Sequence, residues 1–220
     1  MSINHEVKVM TGIILSTILV MFLGVYLFSQ SINSENERQL VSQDILVKTN
    51  SQATGPTEAS VTVVEFLDYQ CPSCAAIEPS LAQLREKYQG RVNFVYRHYP
   101  LSSHQHAFLA AEALEAARTQ GQFAAMHERL YTEQNLWSEF DSDKQVRELF
   151  KQYAKELNLD SQEFSQALEN SAHRSQILAD IADGNRAGVT GTPHFFVNGE
   201  NLGSSLAAVE AAIEAQLQSN

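Results

Sequence analysis

Cysteine is nearly absent from this chain: Cys71 and Cys74 are the only two in 220 residues. That scarcity excludes an all-cysteine zinc site and any framework of several disulfides. Basic residues are also in short supply, 15 Lys and Arg against 26 Asp and Glu for a net charge of -11. This argues against nucleic acid or an anionic lipid surface as the main partner, since both select for basic patches. Runs of like charge, low-complexity tracts, internal repeats and GxGxxG or Walker patterns are missing too. Only five prolines occur, none of them between residues 104 and 187, so nothing in that stretch forbids continuous helices. What remains is a chain that is 44% hydrophobic, enough for a core, at a length that suits one domain plus an appendage.

The two cysteines stand as Cys71-Pro72-Ser73-Cys74 between a strand-like run and a helix-like one, the placement of a redox-active dithiol. A structural staple is the alternative, but a disulfide closing a four-residue loop removes only roughly 2 kcal/mol of unfolded-chain entropy, against nearly ~5 for a hundred-residue loop. Half of a zinc site is another, and it requires two further ligands from His or carboxylates. No cofactor and no metal is expected.

Residues 9–28 form an uncharged apolar stretch interrupted only by Thr11, Ser16, Thr17 and two glycines. As a helix it is long enough to cross a bilayer. A cleaved signal peptide is the rival, yet the apolar segment exceeds a usual signal core and Phe28-Ser29-Gln30-Ser31 is a poor cleavage site. An uncleaved anchor over 9–28 is therefore expected. Lys8 lies just before it, while the first basic residue after it is Arg38. That bias puts residues 1–8 in the cytoplasm and the bulk of the chain outside, the side on which disulfides persist.

Residues 29–44 are polar and mixed in charge, as a tether would be, and 45–220 should form the folded domain. Ile45 to Thr49 is a candidate first strand, followed by a turn-rich connection from Asn50 to Ser60. Val61 to Leu67 is apolar at both parities, which predicts a strand covered on both faces in an α/β sheet. Ile77, Leu81, Leu84 and Tyr88 recur at helical spacing, predicting a helix over 72–88 ended by Gly90, with Pro72 in its first turn and Pro79 as a kink. Val92 to Arg97 then forms a second strand, parallel to the first. Such a unit holds the cysteines at the carboxyl end of its first strand, where open α/β sheets place their chemistry. Between about 104 and 187 the composition predicts a helical subdomain, with helices near 104–118, 121–133, 143–157, 161–170 and 172–187. Phe108, Phe123, Tyr131, Trp137 and Phe140 read as its core. His194 to Val197 returns to strand character, Asn198-Gly199 is a two-residue hairpin turn, and a last helix runs from about Ser205 to Gln218.

Three separated motifs then resemble a known family. The run Val-Val-Glu-Phe-Leu-Asp-Tyr-Gln-Cys-Pro-Ser-Cys at 63–74, Tyr-Arg-His-Tyr-Pro-Leu at 96–101 and Gly-Val-Thr-Gly-Thr-Pro-His-Phe-Phe-Val-Asn-Gly at 188–199 are similar to those of the DsbA-like thiol-disulfide oxidoreductases, in the same order. The resemblance implies a thioredoxin-like fold with an inserted helical subdomain, here preceded by a transmembrane helix. It further implies a cis peptide between Thr192 and Pro193, packed against the dithiol. One departure is Ser73, where the strongly oxidising enterobacterial member has His, so an imidazole that helps stabilise a thiolate is missing.

The chemistry expected of the site follows. Cys71 lies at a helix N-terminus, where unpaired N–H groups favour a thiolate, and is the nucleophile; Cys74, one turn in, resolves. Glu65 interrupts an otherwise apolar strand, matches the position of the buried carboxylate in the family, and is expected to relay a proton at Cys74. Pro193 leaves the backbone of Thr192 free to pair with a substrate peptide, and Pro72, Ser73 and Thr192 are the expected substrate-binding residues. Asp68 and Tyr69 are expected to be more exposed loop residues. His104 and His106 read as surface or capping histidines, and His194 as a metal candidate beside the thiols or else a side chain directed into the sheet. The function expected is oxidation of cysteines in secreted or envelope proteins, with a membrane redox partner recycling the disulfide. A reductase or isomerase fed by a membrane electron donor and a metal-binding thioredoxin-like chaperone are the alternatives.

Overall fold

A computed structural model of the chain describes residues 18–24 and 40–219. Residues 18–24 belong to one unit, and residues from Leu40 onward form a separate, compact one. In the first unit residues 18–24 are helical and Ile18 through Leu23 are exposed. The rest of the expected anchor and most of the expected tether lie outside the described residues. No helix among the described residues is long and apolar enough to cross a membrane.

In the compact unit, strand β2 (Val61–Leu67) is the centre of a five-stranded sheet. It pairs in parallel with β3 (Val92–His98), from Val61 opposite Val92 to Leu67 opposite His98. On its other side it runs antiparallel to β4 (His194–Val197). The hairpin partner β5 (Glu200–Gly203) closes one edge and β1 (Gln52–Thr54), antiparallel to β3, closes the other. The hairpin turn is Asn198-Gly199, with φ of 47° and 90°, the left-handed pair a two-residue turn of this kind demands. Gly199 is required twice over, because a Cβ there would lie 2.5 Å from the carbonyl oxygen of Val41.

Both faces of β2 are covered, as its double apolar parity dictates. Val61 and Val63 pack with Leu81 and Leu84 of helix α2 (Pro72–Lys87) and with Val209 and Ile213 of the last helix (Leu206–Gln218). Val64 and Phe66 join Leu46, Val95, Val189 and Phe196 on the opposite face. A third core lies under the helical subdomain and reaches Leu67, Tyr69, Cys71 and Cys74. That subdomain consists of six helices: Ala107–Thr119, Phe123–Thr132, Gln134–Trp137, Asp143–Glu156, Ser161–Glu169 and Arg174–Arg186. The short third one falls between two expected helices and inserts fully buried Trp137, whose indole donates to Leu130 O.

The N-terminal part of the sheet departs from expectation. Residues 45 and 46 end a helical turn, Gln43–Leu46, and the first strand is Gln52–Thr54, inside the segment read as turns. The reason is Arg97, whose Nη1 takes the carbonyls of Ile45 and Leu46 at 2.9 and 2.6 Å, while Leu46 fills the core. With those carbonyls held by a guanidinium, no ladder is needed there. Arg97 itself is 0% exposed and pairs with Asp180 and Asp183 of the sixth subdomain helix.

Candidate functional site

The carboxyl end of β2 delivers the chain through Asp68, Tyr69 and Gln70 to Cys71, which is the N-cap residue of α2 with extended backbone (φ -72°, ψ 120°). Pro72 occupies the first turn, where its missing N–H costs nothing. Both thiols are free and buried, and Pro72 and Ser73 between them are exposed. The Thr192-Pro193 peptide is cis. Cys71 Sγ lies 3.3 Å from Thr192 O, so the dithiol and the loop before β4, 121 residues apart, form one surface.

The two sulfurs are electrostatically unequal. The Cys71 thiol is brought down to about 5, first by the Cys74 thiol hydrogen bond, then by Thr192 and the N–H groups of Cys74 and Ser73 at the helix start, with desolvation opposing. Cys74 is driven far up, by its bond to Cys71, by burial and by the charge of Glu65. A thiolate at Cys71 beside a neutral Cys74 is the distribution a nucleophile and a resolving thiol require.

Glu65 shares the parity of Val61 and Val63 and lies opposite Tyr96 on β3 and Phe195 on β4. At 5% exposure its carboxyl is raised to about 8, chiefly by burial and then by Glu78, with Arg85 opposing. It is therefore largely neutral near pH 7 and electrostatically coupled to Cys74.

Asp68 and Tyr69 are not exposed loop residues; each is only 1% accessible. The Asp68 carboxylate accepts from Gln70 N at 2.7 Å, Leu101 N at 2.9 Å and His104 Nδ1 at 2.6 Å. The Tyr69 hydroxyl meets His127 Nδ1 at 2.7 Å. Tyr69 is covered by the helical subdomain and Asp68 is held by the segment that leads into it, Leu101 and His104; neither placement leaves a local signal in the sequence. His106 is buried, not at the surface, and stands at the N-cap position of the helix Ala107–Thr119, the capping place also expected for it; its ring lies between Asp143 Oδ1 and Phe140 O, at 2.6 and 2.8 Å. His194 meets Asn201 Oδ1 at 2.8 Å, and the described residues contain no group of three or more metal-ligating side chains. Of the expected subdomain aromatics, Phe123, Tyr131 and Trp137 are core, Phe140 packs at its margin, and Phe108 carries the Arg174 guanidinium 4.9 Å from its ring centre.

Gln134, unnoticed in the sequence, contacts the loop directly. Its Nε2 donates to Tyr69 O at 2.7 Å and to Cys71 O at 3.0 Å. A cavity of about 630 Å³, lined by Glu78, Arg85, Tyr96, Phe123, His127 and Tyr131 among others, lies behind α2 and includes neither thiol. Cys71 is 5% exposed and Cys74 1%, with the exposed Pro72 and Ser73 between them.

A family model described as thioredoxin matches residues 48–215. Among curated relatives, a Na(+)/H(+) antiporter NhaA 3 of Salinispora tropica is 40% identical over 146 residues; the match covers 66% of this chain and 21% of that protein. The chain thus spans about a fifth of that relative's length. A thioredoxin-like oxidoreductase from Silicibacter pomeroyi superposes with a TM-score of 0.66 at 26% identity, over 81% of this chain and 99% of that one. BdbD from Bacillus subtilis gives a TM-score of 0.68 at 22% identity, over 81% and 96% respectively, a likeness of fold.

Proposed function

The chain belongs to the thioredoxin family, in the form of that fold seen in DsbA-like proteins, and on that premise we propose a membrane-anchored, extracytoplasmic thiol-disulfide oxidoreductase that oxidises cysteines of secreted or envelope proteins. The observation that carries the proposal is the unequal thiol pair at the head of α2, with Cys71 Sγ beside the Thr192 carbonyl.

In the oxidising direction a substrate thiolate attacks Cys71 Sγ of the Cys71–Cys74 disulfide. The intramolecular S–S bond breaks, Cys74 leaves with the electron pair, and neutral Glu65 supplies the proton it takes up. The substrate is then held to Cys71 as a mixed disulfide. A second substrate thiolate attacks the substrate's own sulfur, closing the substrate disulfide and releasing Cys71, whose stability as a thiolate makes it a good leaving group. Two electrons end on the dithiol, and a membrane redox partner accepts them to restore the disulfide. The cis turn at Pro193 presents Thr192 for strand-like pairing with the substrate backbone, and exposed Pro72 and Ser73 border the bound segment. The uncharged stretch at 9–28, with residues 18–24 helical and apolar side chains exposed, supports the anchor.

The test is trapping. Cys74→Ser should accumulate mixed disulfides through Cys71 in the compartment outside the membrane, and Cys71→Ser should accumulate none. Equal trapping by both variants overturns the assignment of nucleophile and resolver. Protease added outside the cytoplasmic membrane should digest the domain; protection until that membrane is lysed overturns the topology. Equilibration of the purified protein with glutathione fixes the direction, since an oxidant holds its disulfide less tightly than the glutathione pool does.

A further inference from the structure

The nucleophile's position is set from outside the sheet that carries it. Gln134 is 6% exposed and belongs to the helical subdomain, 65 residues beyond Tyr69 in the chain. Its single amide nitrogen places one hydrogen bond on the carbonyl of Tyr69 and one on the carbonyl of Cys71, using both of its donors. Those carbonyls flank Gln70, whose own side chain is taken up by the same subdomain: Oε1 accepts from His106 N at 2.6 Å, and Nε2 reaches Ser138 O at 3.4 Å. The Tyr69 hydroxyl adds a third tie, to His127.

Three consecutive residues before α2 are thus gripped by groups from four separate points of the subdomain. The Cys71 carbonyl also accepts the first-turn N–H of Ala75. Gln134 therefore helps hold the peptide plane that follows Cys71, and with it the direction in which the Cys71 side chain leaves the helix start. Buried amide donors left without acceptors, or carbonyls left without donors, cost stability, but that alone does not require both bonds to converge on the nucleophile's own loop.

We infer that Gln134 is a positioning residue for the dithiol, through which the helical subdomain fixes the orientation of Cys71 and so its reactivity. The inference rests on the proposed thiol-disulfide exchange, which it deepens. The subdomain is then part of the redox machinery and not only a cover over the sheet.

Gln134→Met keeps the length and removes both donors. In the reduced full-length variant the thiolate absorbance of Cys71 should titrate about one pH unit higher than in the wild type. The equilibrium with glutathione should shift about tenfold toward the disulfide, as one such unit requires. A variant that unfolds more easily yet has an unchanged Cys71 titration and an unchanged glutathione equilibrium overturns the inference, because Gln134 then serves the fold alone. Should Gln134→Met fail to fold, Gln134→Ala, which removes the same two donors without adding bulk, carries the test: a shift in the same direction supports the inference, and no shift overturns it. The titration needs no redox partner, so a wild type that fails to oxidise reduced peptide refutes the proposed function separately from this result.

Discussion

Replacing Glu65 with Gln offers a quantitative test, because its neutral carboxyl is both a structural cost and a chemical resource. The folded protein holds this proton up to about pH 8, whereas an unfolded glutamate releases it near 4.5. The folded value is raised, so the contribution of Glu65 to stability is fully present below about pH 4.5 and is lost as pH climbs toward 8. Over that window the unfolded state binds fewer protons than the folded state, and the wild type should lose about 1.4 kcal/mol per pH unit from this group. The total is on the order of 5 kcal/mol by pH 8, and about 3 of these are spent by pH 7. Glu65→Gln has the same shape and no such slope. Urea unfolding of the oxidised forms, which removes thiol titration from the comparison, should show the variant gaining on the wild type by about 2 to 3 kcal/mol between pH 5 and pH 7. A stability difference that does not change with pH refutes the reasoning, since it means Glu65 is ionised in the folded state or reaches solvent. The same pair of proteins tests the relay. Stopped-flow oxidation of a reduced peptide should be slower for Glu65→Gln wherever proton delivery to Cys74 limits the rate, and equal rates throughout mean that the carboxyl is not the donor.

Other outcomes follow from the same structure. Because Cys71 is depressed to about 5 from about 9, the reduced form should gain stability relative to the oxidised form as pH rises through that window, and lose the gain as pH falls through 5. Calorimetry of both redox forms at a series of pH values checks the sign. Arg97→Ala should destabilise the domain by about 3 to 5 kcal/mol by leaving Asp180 in particular buried without its cation. Combining Arg97→Met with Asp180→Asn and Asp183→Asn should recover most of that loss in denaturant titrations, and a triple variant no better than Arg97→Ala contradicts the ion-pair account.

The dithiol was readable because every cue to it is local. Cys71 and Cys74 lie at a junction where a two-faced apolar run meets a helical repeat, and Asn198-Gly199 announces its own turn. Glu65 stood out for the same reason, as one charge among Val63, Val64, Phe66 and Leu67. Residues whose role depends on distant contacts were not readable. Tyr69 looks like a loop residue until the subdomain is laid over it, Asp68 until Leu101 and His104 close on its carboxylate, and Gln134 is one glutamine among many until its nitrogen is found between two carbonyls more than sixty residues back. The segment 45–49 looks like a strand because Ile45, Val47 and Thr49 are β-branched in a short apolar run; the competing partner, Arg97, lies some fifty residues downstream.

The Arg97 clamp has a mechanical consequence if the domain is held at its N-terminal end, as the proposed anchor would hold it. Just inside Leu40, Val41 N is bonded to Gly199 O at 2.8 Å, and a few residues later the Ile45 and Leu46 carbonyls are gripped by a guanidinium that is itself anchored to two aspartates. Tension applied to the chain ahead of Leu40 is therefore taken up by these bonds, and the next residues do not peel away until they shear together. Cys71 lies on the far side of the clamp in the load path. In the proposed tethered form, a pull at the N-terminal end is therefore borne first by the edge of the sheet and the Arg97 cluster, and the loop that carries Cys71 is not the first part of the domain to yield.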